Sequence, residues 1–165
     1  MRVLSLKLIA NRGPSLLAAP ESTAPVRSIV VPVDGSPASL QAVTLAADIA
    51  RKNKGQVFVV HVIEVKRTLP LDAAMVDEEA AGDEVLTRAE EVAKKAGFQV
   101  ESEILHAREA GPAIIDEAIE RRADLIVVGV GHPQVPGEFQ LSRVVQAVLR
   151  GAPCQVWVCR AAAGG

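Results

Sequence analysis

From Ser28 onward, short continuous apolar runs alternate with stretches in which apolar residues return every three or four positions. Ile29–Val33 is an apolar, β-branched run that predicts a strand. It stops at Asp34-Gly35-Ser36-Pro37, a turn with helix-start chemistry. Leu40, Val43, Ala47 and Ala50 then recur at helical spacing, and Gly55 after Asn53-Lys54 reads as the helix stop. Gln56–Ile63 predicts a second strand, and residues 64–75 a loop broken by Pro70. The next helix carries Val85, Ala89, Val92 and Ala96 on one face. Its acidic start (Asp77, Glu78, Glu79, Asp83, Glu84) complements the helix dipole, and Gly97 closes it. Phe98–Leu105 alternates apolar with polar, as a half-exposed strand does. Gly111-Pro112 opens a helix with Pro at its first position, turning Ile114, Ile115, Ala118 and Ile119 inward. Leu125–Val128 is the most apolar strand and runs into Gly129. After a loop to Gln140, Val144, Val145, Val148 and Leu149 mark a last helix, and Gln155–Cys159 a last strand.

Strict alternation of five strands with four helices predicts an α/β fold: one parallel sheet with helices on both faces, Rossmann-like. The first, second and fourth strands are apolar throughout and belong in the centre, while the alternating third belongs at an edge. The order 3-2-1-4-5 satisfies both demands. Its switch point lies between the first and fourth strands, and ligands in such sheets bind outside the carboxyl ends there. The loops Asp34–Pro37 and Gly129–Ser142 are therefore singled out by topology alone.

Composition narrows the classes. The 165 residues include three Phe, one Trp and no Tyr, so the core is aliphatic and offers no stacking ladder for single-stranded nucleic acid. A net charge of −2 argues against a sequence-independent binder of phosphate backbones. Two cysteines, Cys154 and Cys159, make neither a disulfide framework nor a four-ligand zinc site, and read as reduced thiols in a cytoplasmic protein. No run reaches the ~20 apolar residues of a membrane span, and Ala18-Ala19-Pro20 is a poor signal-cleavage site. Residues 1–26 hold three prolines and no clear period, and read as a loosely ordered extension. Residues 27–160 read as the domain and 161–165 as a tail.

The two loops carry the candidate chemistry. Gly129-Val130-Gly131-His132 lets backbone N–H groups approach an anion, and the helix beginning near Ser142 adds its dipole. Ser142 is either that helix's N-cap or a hydroxyl contact to phosphate. Arg143 opposes the dipole in the first turn: it clamps an anion, or it is an exposed arginine held by Glu138. His132 contacts a phosphate or merely stands where a glycine would. Asp34, approached through Pro32 and Val33, accepts from a ribose hydroxyl or an adenine amino group, or caps the first helix in competition with Ser36. Val62 is a flat apolar wall for the same cleft. His61 is expected to pack at a strand end and His106 to sit in a loop, neither at metal-ligand spacing.

Five blocks in order carry a resemblance: Val31-Pro32-Val33-Asp34-Gly35-Ser36; Val60-His61-Val62; Gly111-Pro112-Ala113-Ile114-Ile115; Ala123–Gly129; and Val148-Leu149-Arg150-Gly151-Ala152-Pro153-Cys154. Together they resemble the universal stress protein family over about residues 27–160. The resemblance implies a small α/β domain that dimerises through its last strand (Val156, Trp157, Val158) and holds ATP or another adenine nucleotide, with magnesium only as the nucleotide's companion. The family's ATP-binding members resemble G-x-x-G, nine residues, then G-[S/T]. Counted from Gly129, this chain has His132 at the second Gly, Ser142 at the third and Arg143 at the hydroxyl position. A register one residue away uses Gly131 and Ser142, with Leu141 at the remaining Gly. Either way the cradle is degraded.

Two functions follow. One is a regulatory adenine-nucleotide binder without catalysis. The other is a nucleotide-free dimeric interaction module, associated with a transporter or another stress-response partner. An enzyme fits less well, for the sequence shows no nucleophile with a partnered base, no Walker A Lys-Ser/Thr pair and no carboxylate pair at the cleft.

Overall fold

The computed structural model describes residues 24–132 and 141–160. The elements in chain order are β1 (Ser28–Pro32), α1 (Pro37–Asn53), β2 (Gln56–Glu64), α2 (Val76–Lys95), β3 (Glu101–Ala107), α3 (Ala110–Glu120), β4 (Leu125–Val130), α4 (Arg143–Gly151) and β5 (Gln155–Arg160). The strands form one parallel sheet in the order β3-β2-β1-β4-β5, as the alternation predicts.

Period-two side chains divide the core. Ile29, Val31, Val57, Val59, Leu125 and Val127 face one layer, where Ala42, Val43, Ala46 and Ala50 of α1 meet Val85, Leu86, Ala89 and Ala93 of α2. Val30, Phe58, Val60, Ile126 and Val128 face the other, against Ile114 and Ala118 of α3 and Val145 and Val148 of α4. Small alanines let α1 lie close on the strands, and β-branched residues fill the sheet without aromatic bulk. Burying each Val or Ile contributes about 1.5–3 kcal/mol, so an aliphatic core of this extent holds the sheet without disulfides.

Two polar devices fix the amino end of the sheet. Asp124 accepts the Arg27 and Ser28 N–H groups at 2.9 Å each, tying the start of β1 to the approach of β4. Arg121, just beyond α3, donates to buried Glu117 (2.7 Å) and to Glu103 on β3 (3.0 Å), while its guanidinium lies 4.5 Å from the Phe58 ring centroid.

Several boundaries differ from the expectation, each for a local reason. The third strand starts at Glu101 rather than Phe98, because Gly97 (φ +73°) turns the chain and Phe98 and Val100 pack against the α1/α2 layer before the ladder begins. His106 consequently lies in β3, not in a loop, with Nε2 3.2 Å from Glu79 Oε1. Lys54, not Gly55, takes the left-handed position closing α1 (φ 53°). Gly55 is needed for space, since a Cβ there would stand 2.3 Å from the Arg27 carbonyl oxygen. α3 starts at Ala110, which puts Pro112 at its third position. Ile119 is exposed rather than inward, because it lies one residue, about a quarter turn, past the sheet-facing Ala118. The expected extension over residues 1–26, apart from its last three residues, and the tail over 161–165 lie outside the described residues. No helix among the described residues is long and apolar enough to cross a membrane.

Candidate functional site

A cleft of about 260 Å³ opens at the carboxyl ends of β1, β2 and β4, at the switch point of the sheet. It brings together six of the nine sequence candidates: Pro32, Val33, Asp34, Val62, Gly129 and Ser142. Gly131, His132 and Arg143 are exposed and do not line it. Its remaining walls come from residues the sequence did not single out for the site, chiefly Ser39, His61, Ala110 and Ile114.

The start of α1 settles the competition between Asp34 and Ser36. Ser36 is the N-cap, its Oγ accepting the Ser39 N–H at 3.2 Å, and buried Ser39 returns its hydroxyl to the Ser36 carbonyl at 2.9 Å. Asp34 Oδ1 accepts the Ser36 N–H at 2.9 Å, which bends the chain out of β1 and directs the carboxylate to the cleft rim. Burial alone would raise the Asp34 pKa, but hydrogen bonding at the Asp34–Ser36 turn outweighs it and holds the carboxyl below its ordinary value. Asp34 is therefore an acceptor at neutral pH. Oδ2 has no hydrogen bond among the described residues.

Helix starts converge on this cleft. At α3, Glu64 Oε1 accepts the Ala110 N–H at 2.8 Å, so a carboxylate of this chain already occupies that helix end. At α4, Ser142 is the N-cap and accepts the Val145 N–H at 3.3 Å, but the first turn holds no acidic residue and begins with Arg143. Two starts are thus answered by Asp34 and Glu64; the third presents its positive end with a cation beside it. Glu138, the alternative partner for Arg143, lies outside the described residues.

Gly129 has a different reason to be glycine from the one its loop suggests. A Cβ there would lie 2.2 Å from the Ala38 carbonyl oxygen and 2.6 Å from the Ser39 nitrogen, so it lets β4 pass against the first turn of α1. Gly131 has no such constraint: a Cβ there meets nothing within 4 Å. On the α1/α2 side, the His61 Nδ1 lies 2.8 Å from the Val33 carbonyl oxygen, and because a carbonyl only accepts, Nδ1 carries the proton.

A larger, open depression of about 800 Å³ lies at the opposite end of the sheet, between Gly55, Gln56, Glu90, Lys94, Phe98 and Glu101. It has no convergence of helix starts. Among the described residues, no group of three or more His, Cys, Asp or Glu is arranged to hold a metal ion.

A universal stress protein of Methanocaldococcus jannaschii is 29% identical over 140 residues, covering 81% of this chain and 82% of the relative. Among solved structures, the universal stress protein UspA of Lactobacillus plantarum superposes with a TM-score of 0.67 at 26% identity, over 83% of this chain and all but 1% of the other (99%). The universal stress protein of Archaeoglobus fulgidus, solved in complex with dAMP, gives a TM-score of 0.66 at 25% identity, over 81% and 98% of the two chains. The profile of the universal stress protein family itself matches residues 25–160. The sheet order, the cleft at its switch point and that match lead to one assignment: the chain belongs to the universal stress protein family.

Proposed function

We propose that residues 27–160 form a regulatory domain that binds an adenine nucleotide in the β1/β4 cleft and carries out no chemistry on it. The observation that carries this reading is the α4 start, where the positive helix end, Ser142 and Arg143 meet at the one cleft-facing terminus lacking a carboxylate among the described residues. An anion is stabilising there, and a phosphate takes charge-assisted hydrogen bonds from a guanidinium. A cleft of about 260 Å³ sits just below the ~300–1,000 Å³ usual for small-molecule pockets, so it houses the nucleoside and leaves phosphates at the mouth. Val62 supplies the flat wall, and Asp34 Oδ2 is an acceptor for ribose hydroxyls. The dAMP complex of the Archaeoglobus relative supports the adenine class. ATP is the nucleotide that uses Arg143 most fully, and magnesium enters only with it. Gly129 lines the cleft beside Ser142, while His132 and Gly131 come to a phosphate only beyond the mouth.

The second reading, a nucleotide-free interaction module, is favoured by the exposure of Gly131 and His132 away from the cleft. Both readings share a homodimer through β5 and a cytoplasmic setting. Calorimetric titration separates them. Arg143→Ala is expected to weaken ATP by about ten- to a hundredfold while leaving adenosine nearly unchanged, the size of one charged hydrogen bond of ~1.5–3 kcal/mol. Asp34→Ala is expected to weaken both. No heat from ATP, ADP or AMP with the wild-type protein overturns the nucleotide reading, and equal loss of ATP and adenosine in Arg143→Ala removes the clamp.

A further inference from the structure

We propose that His61 is a positioning residue that ends the β1–β2 ladder at the cleft, taking the Val33 carbonyl with its ring so that the Val62 N–H is left facing the ligand. Pro32 pairs with Val60, so Val33 stands opposite His61, and Val33 N–H donates to the Val60 carbonyl at 2.9 Å. A parallel ladder continued by one step would have Val62 N–H donate to the Val33 carbonyl. Among the described residues that bond is not formed; the oxygen lies instead 2.8 Å from His61 Nδ1. The imidazole has replaced a backbone donor. Backbone groups alternate sides along a strand, and Val60 directs its carbonyl to β1, so Val62 directs its N–H the same way. There β1 has turned aside into the Asp34 bend, and the cleft begins. A backbone donor without a protein partner at the wall of the cleft calls for one, and a ligand acceptor there answers it.

The ring is held in place independently of any ligand. It packs against α2 at Gly82, where a Cβ would stand 2.9 Å from His61 Cδ2 and 3.0 Å from Ile104 Cδ1. A glycine inside a helix is less favourable than alanine, and the room it gives this imidazole accounts for its place.

The ligand half of this inference rests on the nucleotide reading; the ladder half does not, and the test separates them. Amide exchange is measured by NMR on the ligand-free protein, and AMP affinity by calorimetry. In the wild type, Val62 is expected to exchange about tenfold faster than Val60, whose N–H lies within the ladder. In H61L the Val33 carbonyl recruits the Val62 N–H, so Val62 exchange slows by about tenfold and AMP affinity falls by about tenfold. H61Q, whose donor sits farther out, follows H61L and serves if H61L does not fold. H61N, whose Nδ2 stands where Nδ1 stood, is expected to restore both readouts towards wild type. Val62 protected like Val60 in the wild type overturns the inference, as does H61N behaving like H61L and H61Q. If wild type shows fast Val62 exchange but no AMP binding, the ladder role of His61 stands and the nucleotide reading fails.

Discussion

Replacing Gly129 by alanine is expected to destabilise the fold by about 3 kcal/mol, the upper end of the ~1–3 kcal/mol typical of overpacking. The new methyl would meet the Ala38 carbonyl carbon and oxygen and the Ser39 nitrogen, at 2.3, 2.2 and 2.6 Å. These are backbone atoms of the α1 first turn and have no rotamer through which to escape. Relief requires sliding β4, which disturbs the cores on both faces of the sheet, or tilting α1, which opens the α1/α2 core. The same movement disturbs Ser36, Ser39 and Asp34, so the cleft suffers with the fold. Urea unfolding at constant slope measures the effect directly. Gly131→Ala is the control: with nothing within 4 Å of its Cβ, it is expected to change stability by no more than about 0.5 kcal/mol. A loss at Gly129→Ala as small as that of the control would show that the strand crossing does not require a glycine.

Trp157→Arg is expected to turn a dimer into a monomer. The two sheet edges are treated very differently. β3 carries Glu101, Glu103 and His106 on its exposed positions, charged and polar side chains that discourage another strand from pairing. β5 instead leaves Trp157 42% and Val158 39% exposed beside half-buried Val156, an apolar edge with free backbone groups. An antiparallel partner across a two-fold axis pairs those groups and covers the indole at once. Arginine at 157 places two like charges near that axis and removes the largest apolar contribution. Sedimentation of the wild type is expected at about twice the 17.4 kDa chain mass, falling to one chain mass in the variant. A wild-type monomer, or a variant that stays dimeric, would remove β5 as the interface.

The architecture was legible because its determinants are local and repeated. Val30-Val31, Val59-Val60 and Ile126-Val127 are apolar and buried on consecutive positions, as a strand covered on both faces requires. Glu101 and Glu103 alternate with half-buried neighbours and mark an edge. What escaped depends on contacts between residues far apart in the chain. Nothing near Glu64 announces that its carboxylate caps a helix 46 positions later. His61 reads as one more residue in an apolar run until the register places it opposite Val33. Ser39 looks like a helix-surface residue, yet is buried because β4 crosses at Gly129. The Asp34 turn was visible because an Asx bend is made by neighbours, whereas the meeting of three helix starts at one cleft is not written in any one of them.

The central claim is that an adenine nucleotide binds at the β1/β4 switch point, and the most direct test is amide chemical-shift mapping of the labelled wild-type protein titrated with AMP. Saturable shifts are expected at Asp34, Ser36, Ser39, Val62, Gly129 and Ser142, with Gly55, Phe98 and Glu101 at the opposite depression unmoved. Shifts confined to Gly55, Phe98 and Glu101, or none at millimolar AMP, would contradict it.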